Sequence, residues 1–136
     1  MPTPAEIANS MMLKDAFSNW LGVEIIDIKD GYCKVKMTVR EEMTNGVGLV
    51  HGGILFSLAD SALGFASNSR NKQSVSLDTS ISFIKTASPG NILVAEATEL
   101  YNGNSTGHYL VSIVNQNNQL IAQLKGCCYR TGKLTE

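Results

Sequence analysis

Charge is scarce in this 136-residue chain: only 17% of its residues are Asp, Glu, Lys or Arg, against roughly a quarter in an average soluble domain. Aromatic residues are few as well, at 7%. The 11 basic and 12 acidic residues nearly cancel, for a net charge of −1, and no basic run occurs. That excludes the basic stripe on which general nucleic-acid binding depends. No apolar run approaches the roughly 20 residues of a membrane span. The opening MPTPAEIANSMMLKDAF has neither the basic stretch nor the apolar centre of a secretory signal. The expectation is therefore a cytoplasmic protein without membrane contact.

Cysteine and histidine are equally sparse. Cys33 stands alone and Cys127 and Cys128 are adjacent, which makes no disulfide framework. The two histidines, His51 and His108, share no ligand spacing with each other or with a cysteine, so no zinc or other metal site is expected. Buried free thiols are the simplest reading of the cysteines. No G-x-S-x-G elbow, no G-x-x-x-x-G-K loop and no dinucleotide-binding glycine pattern occurs. In place of charge the chain carries 37 uncharged polar residues: 13 Ser, 9 Thr, 11 Asn and 4 Gln. That substitution suggests surface that is covered rather than left to water.

With 43% apolar residues and no linker, repeat or low-complexity tract, the chain reads as a single domain over residues 1–136. Pro4 at a first helical position and apolar residues to Trp20 predict one N-terminal helix, within a helical segment 1–20 that Gly22 stops. Residues 23–29 and 32–40 read as strands joined by the Asp30–Gly31 turn. After the glycine-rich loop EEMTNGVGLVHGG, residues 53–69 form a helix apolar nearly all round, which marks burial on most sides. Gly64 inside it costs about 1 kcal/mol relative to Ala, so close packing is its expected reason. Strands follow at 74–84, 92–101, 108–115 and 119–130. In the first of these, Val75, Leu77, Thr79, Ile81 and Phe83 alternate with Ser76, Asp78, Ser80, Ser82 and Ile84, so Ser76 and Ser80 are expected on a solvated face. The fold class is α+β, with an antiparallel sheet curved round one central helix.

The chemistry-bearing residues concentrate between Asn45 and Asp60. A carboxylate at Asp60, flanked by Leu58, Ala59, Ala62 and Leu63, would lose hydration unless a polar group met it. Such a residue can be a catalytic acid–base or a buried link to a loop. His51, Gly52 and Gly53 open the helix, where unpaired N–H groups and the helix dipole suit a polarised carbonyl. They equally suit plain helix-entry geometry. Asn45–Gly46 alone is a turn.

Taken together, N-G-V-G-L-V-H-G-G-I-L-F-S-L-A-D resembles the signature of hotdog-fold thioesterases of the phenylacetate-degradation (PaaI-type) branch. The matching positions are Asn45, His51, Gly52, Gly53 and Asp60, without a gap. The likeness extends to L-G-V-E-I-I-D, to S-V-S-L-D-T-S-I-S-F and to V-N-Q, and so spans nearly the whole chain after residue 15. It implies the hotdog fold, a homodimer joined sheet edge to sheet edge, and commonly a homotetramer. It implies hydrolysis of acyl-coenzyme A, on aryl or medium-chain acyl groups, with no cofactor, coenzyme A being part of the substrate. Asp60 would be nucleophile or general base and the Gly52 N–H would polarise the carbonyl. His51 and Asn45 would orient thioester and water, and Ser76 would place a hydroxyl near the water. Gly53, Leu55 and Phe56 would border the substrate. Lys85 and Asn104 stand where relatives carry basic residues toward coenzyme A. The resemblance also admits a non-catalytic acyl-coenzyme A binding module, which the presence of Asp60, His51 and Asn45 disfavours. Hydratase chemistry is disfavoured because Phe65, not a histidine, lies five residues past Asp60.

Overall fold

A computed structural model describes residues 1–133; residues 134–136, the end of the expected domain, lie outside the described residues. The N-terminal segment is two helices rather than one: α1 (Pro4–Lys14) and α2 (Ala16–Leu21). Thr3 caps α1 through a reciprocal pair, its Oγ1 accepting from the Glu6 N–H at 3.2 Å while Glu6 Oε1 accepts from the Thr3 N–H at 3.0 Å. The break falls at Asp15, whose carboxylate accepts from the Ser18 N–H at 2.9 Å and caps the second helix. A side chain that competes for backbone donors overrides the continuous apolar spacing here. Gly22, at φ 79°, ends α2 in the left-handed conformation that glycine adopts freely.

Strands β1 (Glu24–Lys29) and β2 (Tyr32–Thr38) form a hairpin. Helix α3 (Gly52–Asn68) then carries the chain across to β3 (Lys72–Phe83), followed by β4 (Ile92–Asn102), β5 (Thr106–Val114) and β6 (Leu120–Lys133). The six strands make one antiparallel sheet in the order β1-β2-β4-β5-β6-β3. Helix α3 lies in its concave face. Leu58, Ala62, Leu63 and Ala66 of the helix are sealed against Val35, Ala95, Val111 and Leu124 of the sheet. Each large side chain sealed this way contributes about 1.5–3 kcal/mol. Cys33 and Cys128 are buried, and burial pushes the Cys33 thiol up to about 12. Cys127 is only half-buried.

Strand β3 is a long edge. Its inner neighbour is β6, and its other edge is open along 12 residues. Val75, Leu77 and Phe83 on it are each more than half exposed. A long exposed apolar edge is a pairing surface unless something covers it. The strict alternation read from the sequence does not survive in β3. Ser76 pairs with Cys128 and Asp78 with Cys127, so Leu77 is bulged out of the ladder. One inserted residue moves every following side chain to the other face. Ser74 and Ser76 therefore share the inner face with Thr79, Ile81 and Phe83.

Candidate active site

His51 caps α3. Its Nδ1 accepts from the Gly53 N–H at 2.8 Å, which leaves Nε2 as the protonated nitrogen of the neutral, exposed ring. Glycine at 53 leaves room for this fold-back: a Cβ there would stand 3.0 Å from His51 Nδ1, so the ring would have to give by a few tenths of an ångström. At Gly52 a Cβ would stand 3.2 Å from the ring of Phe83, so the first helical residue packs bare against β3. The N–H groups of Ile54 and Leu55 return to the His51 carbonyl at 2.9 and 3.4 Å. Among the described residues, no acceptor meets the Gly52 N–H. That donor points out of the first turn with the partial positive charge of the helix end behind it.

Asn45 holds the loop before the helix. Its Oδ1 accepts from the N–H groups of Val47 and Leu49 at 3.0 and 3.1 Å, and its own N–H donates to the Leu49 carbonyl at 2.7 Å. The turn reading of Asn45–Gly46 is thus correct as geometry. Among the described residues, Asn45 makes no hydrogen bond to His51 or Asp60.

Asp60 is half-buried rather than enclosed by apolar side chains, because one flank of α3 opens onto a groove of about 380 Å³. Ser76 Oγ donates to Asp60 Oδ1 at 2.7 Å. Ser76 is exposed, as expected, but it is also a partner of the carboxylate, because the bulge at Leu77 puts it on the helix side of the sheet. Phe56 lines the same groove. Leu55 does not: at 3% exposure it belongs to the core, as does Ala59. Lys85 and Asn104 are exposed and far apart. Lys85 follows the Phe83 end of β3, while the Asn104 turn sits at the Val75 end, about 26 Å away along the strand.

One element that positions the site is absent from the sequence-based expectations. Arg130, buried on β6, donates to the Ser67 carbonyl at 2.6 Å, to Ser74 Oγ at 2.8 Å, to Asn102 Oδ1 at 2.9 Å and to the Tyr109 hydroxyl at 3.1 Å. Asn68 Oδ1 accepts from the Ser74 N–H at 2.9 Å. This network fixes the end of α3 to the start of β3, two residues before Ser76. The period-two run Ala122, Leu124, Gly126, Cys128 does carry the signal, since it puts Arg130 on the inner face. Among the described residues, no group of three or more His, Cys, Asp or Glu side chains could hold a metal ion, and no helix is long and apolar enough to cross a membrane.

Residues 47–122, more than half of the chain, match the family model of the thioesterase superfamily. The chain belongs to that superfamily. Among its relatives, the chain is 42% identical over 127 residues to a putative esterase of Archaeoglobus fulgidus, covering 93% of this chain and 82% of the relative. It is 38% identical over 125 residues to acyl-coenzyme A thioesterase PaaI of Escherichia coli, covering 92% and 89%. The structure of the E. coli PaaI protein superposes at a TM-score of 0.94, with 37% identity and coverage of 96% and 94%. A hypothetical thioesterase protein of Streptococcus pneumoniae, solved with coenzyme A, matches at 0.80 with 28% identity, covering 82% and 90%. Aspartate-to-alanine and threonine-to-alanine mutants of that protein also match, both at TM-scores near 0.80. As a thioesterase-superfamily member, the chain has the hotdog architecture that the sequence led one to expect.

Proposed function

We propose that the chain is an acyl-coenzyme A thioesterase whose site is shared between two copies, with Asp60 of one facing the Gly52 end of the other. The observation that carries this is the Ser76–Asp60 bond in an open groove. Among the described residues the carboxylate is held by one hydroxyl, which leaves an oxygen for water or a carbonyl. In the streptococcal relative the two mutated residues are 16 apart, the spacing of Asp60 and Ser76 here. That coincidence supports assigning both to the reacting centre.

The second half of the site follows from helix geometry. Eight residues of α3 separate Gly52 from Asp60, about 12 Å along the axis. A single carbonyl needs its oxygen about 3 Å from the N–H and its carbon within reach of the carboxylate or its water. One chain cannot supply both. The open edge of β3 can bring a second chain. With Leu77 bulged out, ladder positions run Ser76, Asp78, Thr79, Ser80, Ile81, Ser82, Phe83. A two-fold axis at Ser80 sets Thr79 opposite the partner's Ile81 and Ser76 opposite the partner's Phe83. Inner faces meet inner faces at every step, as antiparallel pairing demands. An axis at Asp78 would oppose two carboxylates. Because Phe83 packs on Gly52, the Ser80 register delivers the partner's Gly52 to the Asp60 end. It also brings the partner's Lys85 toward the rim that carries Asn104, where the two can meet coenzyme A.

In the assembled site the Gly52 N–H takes up the charge that develops on the thioester oxygen. Asp60 either removes a proton from water attacking the carbonyl carbon or attacks that carbon itself. On the first route the C–S bond breaks as the sulfur receives that proton. On the second the C–S bond breaks to leave an anhydride with Asp60, which water then hydrolyses, its proton going to the sulfur. Both give a free acid and coenzyme A. His51 Nε2–H and the Asn45 amide orient the thioester and water. The test is release of free thiol from acyl-coenzyme A; tight binding without hydrolysis would overturn the reading. A separate expected result concerns the register. With Cys127 replaced by Ser, a Ser80→Cys variant should form an intersubunit disulfide on mild oxidation, since opposed residues of such a pair stand within disulfide reach. Cross-linking at Ser82→Cys but not at Ser80→Cys would contradict the register.

A further inference from the structure

We propose that the acyl group lies in the groove between α3 and the two N-terminal helices, and that Gly64 sets the size of acyl group admitted. This rests on the thioesterase reading of Asp60. The groove reaches from Phe56 and Asp60 past Gly64 to Asn68, and Met11 and Phe17 wall its other side. Residues 56, 60, 64 and 68 recur at every fourth position and so share one face of the helix. At Gly64 that face is bare backbone, one turn or about 6 Å beyond the carboxylate. A Cβ built at Gly64 meets nothing within 4 Å, and its φ is not in the left-handed region. Neither packing within the chain nor backbone conformation calls for glycine, although glycine is among the least favourable residues for a helix interior. What it supplies is open space immediately past Asp60.

The lining says what fills that space. Phe17 and Phe56 are its aromatic walls, with the buried Phe65 behind them. The polar groups among them satisfy one another: Ser18 donates from its N–H and Oγ to the two Asp15 carboxylate oxygens at 2.9 and 2.6 Å, and its Oγ lies 2.8 Å from Ser61 Oγ. The groove therefore suits an uncharged aryl or medium-chain acyl group. An acyl group ending in a second carboxylate would meet the Asp15 charge.

The experiment compares kcat/KM for acetyl-, hexanoyl- and succinyl-coenzyme A in the wild type, Gly64→Ala, Gly64→Leu and Asp60→Asn. The wild type should prefer hexanoyl, and succinyl should be the poorest of the longer pair. Gly64→Leu should lower the hexanoyl-to-acetyl ratio by about tenfold or more, the scale on which a filled apolar pocket discriminates. Gly64→Ala should shift the ratio less and raise Tm by about 2–4 °C; it keeps the test decisive if the leucine variant fails to fold. A ratio unchanged in both folded variants overturns the groove assignment and leaves the thioesterase reading standing. If Asp60→Asn retains full turnover while the ratio still shifts, the role of Asp60 falls and the groove assignment holds. A wild type that hydrolyses none of the three, nor an arylacetyl-coenzyme A assayed beside them, overturns both.

Discussion

Asp60→Asn should lower kcat by about 10²–10⁴-fold, the usual contribution of a positioned acid–base group, while leaving fold and assembly intact. Asparagine has the same shape, and its Oδ1 can still accept from Ser76 Oγ, so the 2.7 Å bond that ties α3 to β3 has a replacement. The side chain is half-buried on a groove, so losing its charge leaves no buried group unpaired. What is lost is the ability to take a proton or to attack. Steady-state thiol release measures the loss, with thermal unfolding and sedimentation as controls on fold and assembly. A folded variant within threefold of wild-type kcat would remove Asp60 from the chemistry.

Gly52→Pro should cost about 10²–10³-fold in kcat, as removal of one oxyanion donor typically does. Proline is an unusually clean probe at this residue. It occupies the first helical position, where it is well tolerated. The residue before it, His51, already has the extended backbone, φ −68° and ψ 137°, that proline demands of its predecessor. The deleted N–H has no acceptor among the described residues. The added ring carbon presses on Phe83 at 3.2 Å, so that side chain must give by a few tenths of an ångström. Gly52→Ala carries the same crowding but keeps the N–H, and it separates the two effects. Equal losses in both variants would assign the effect to Phe83 rather than to the donor.

Much of this was legible in the residues. The element order, the buried helix and the stop at Gly22 follow from periodicity and glycine chemistry, and the Asn45-to-Asp60 spacing carried the family resemblance. Three features were not legible, each because a local feature beat a regular pattern. Asp15 splits the N-terminal helix because its carboxylate satisfies the next helix's first turn. The bulge at Leu77 is silent in a strand whose two faces are both plausible, and it alone decides that Ser76 meets Asp60. The open space at Gly64 is opposite to the close packing that a helical glycine suggests, because the side of α3 it occupies borders a groove. Arg130 is buried although charge is expected outside. The alternation of β6 nevertheless points it inward, where carbonyl, hydroxyl and amide oxygens meet it.

The central claim is that Asp60 of one subunit works with Gly52 of the other, and subunit mixing tests it most directly. Asp60→Asn and Gly52→Pro chains, each inactive alone, are co-expressed under separate tags and the mixed dimer is isolated. Each mixed dimer has one site with both lesions and one with neither. An equal random mixture should therefore recover about a quarter of wild-type activity, and the purified mixed dimer about half, if the two-fold pairing is isologous. A mixed dimer no more active than its parents would contradict a site shared between the two chains.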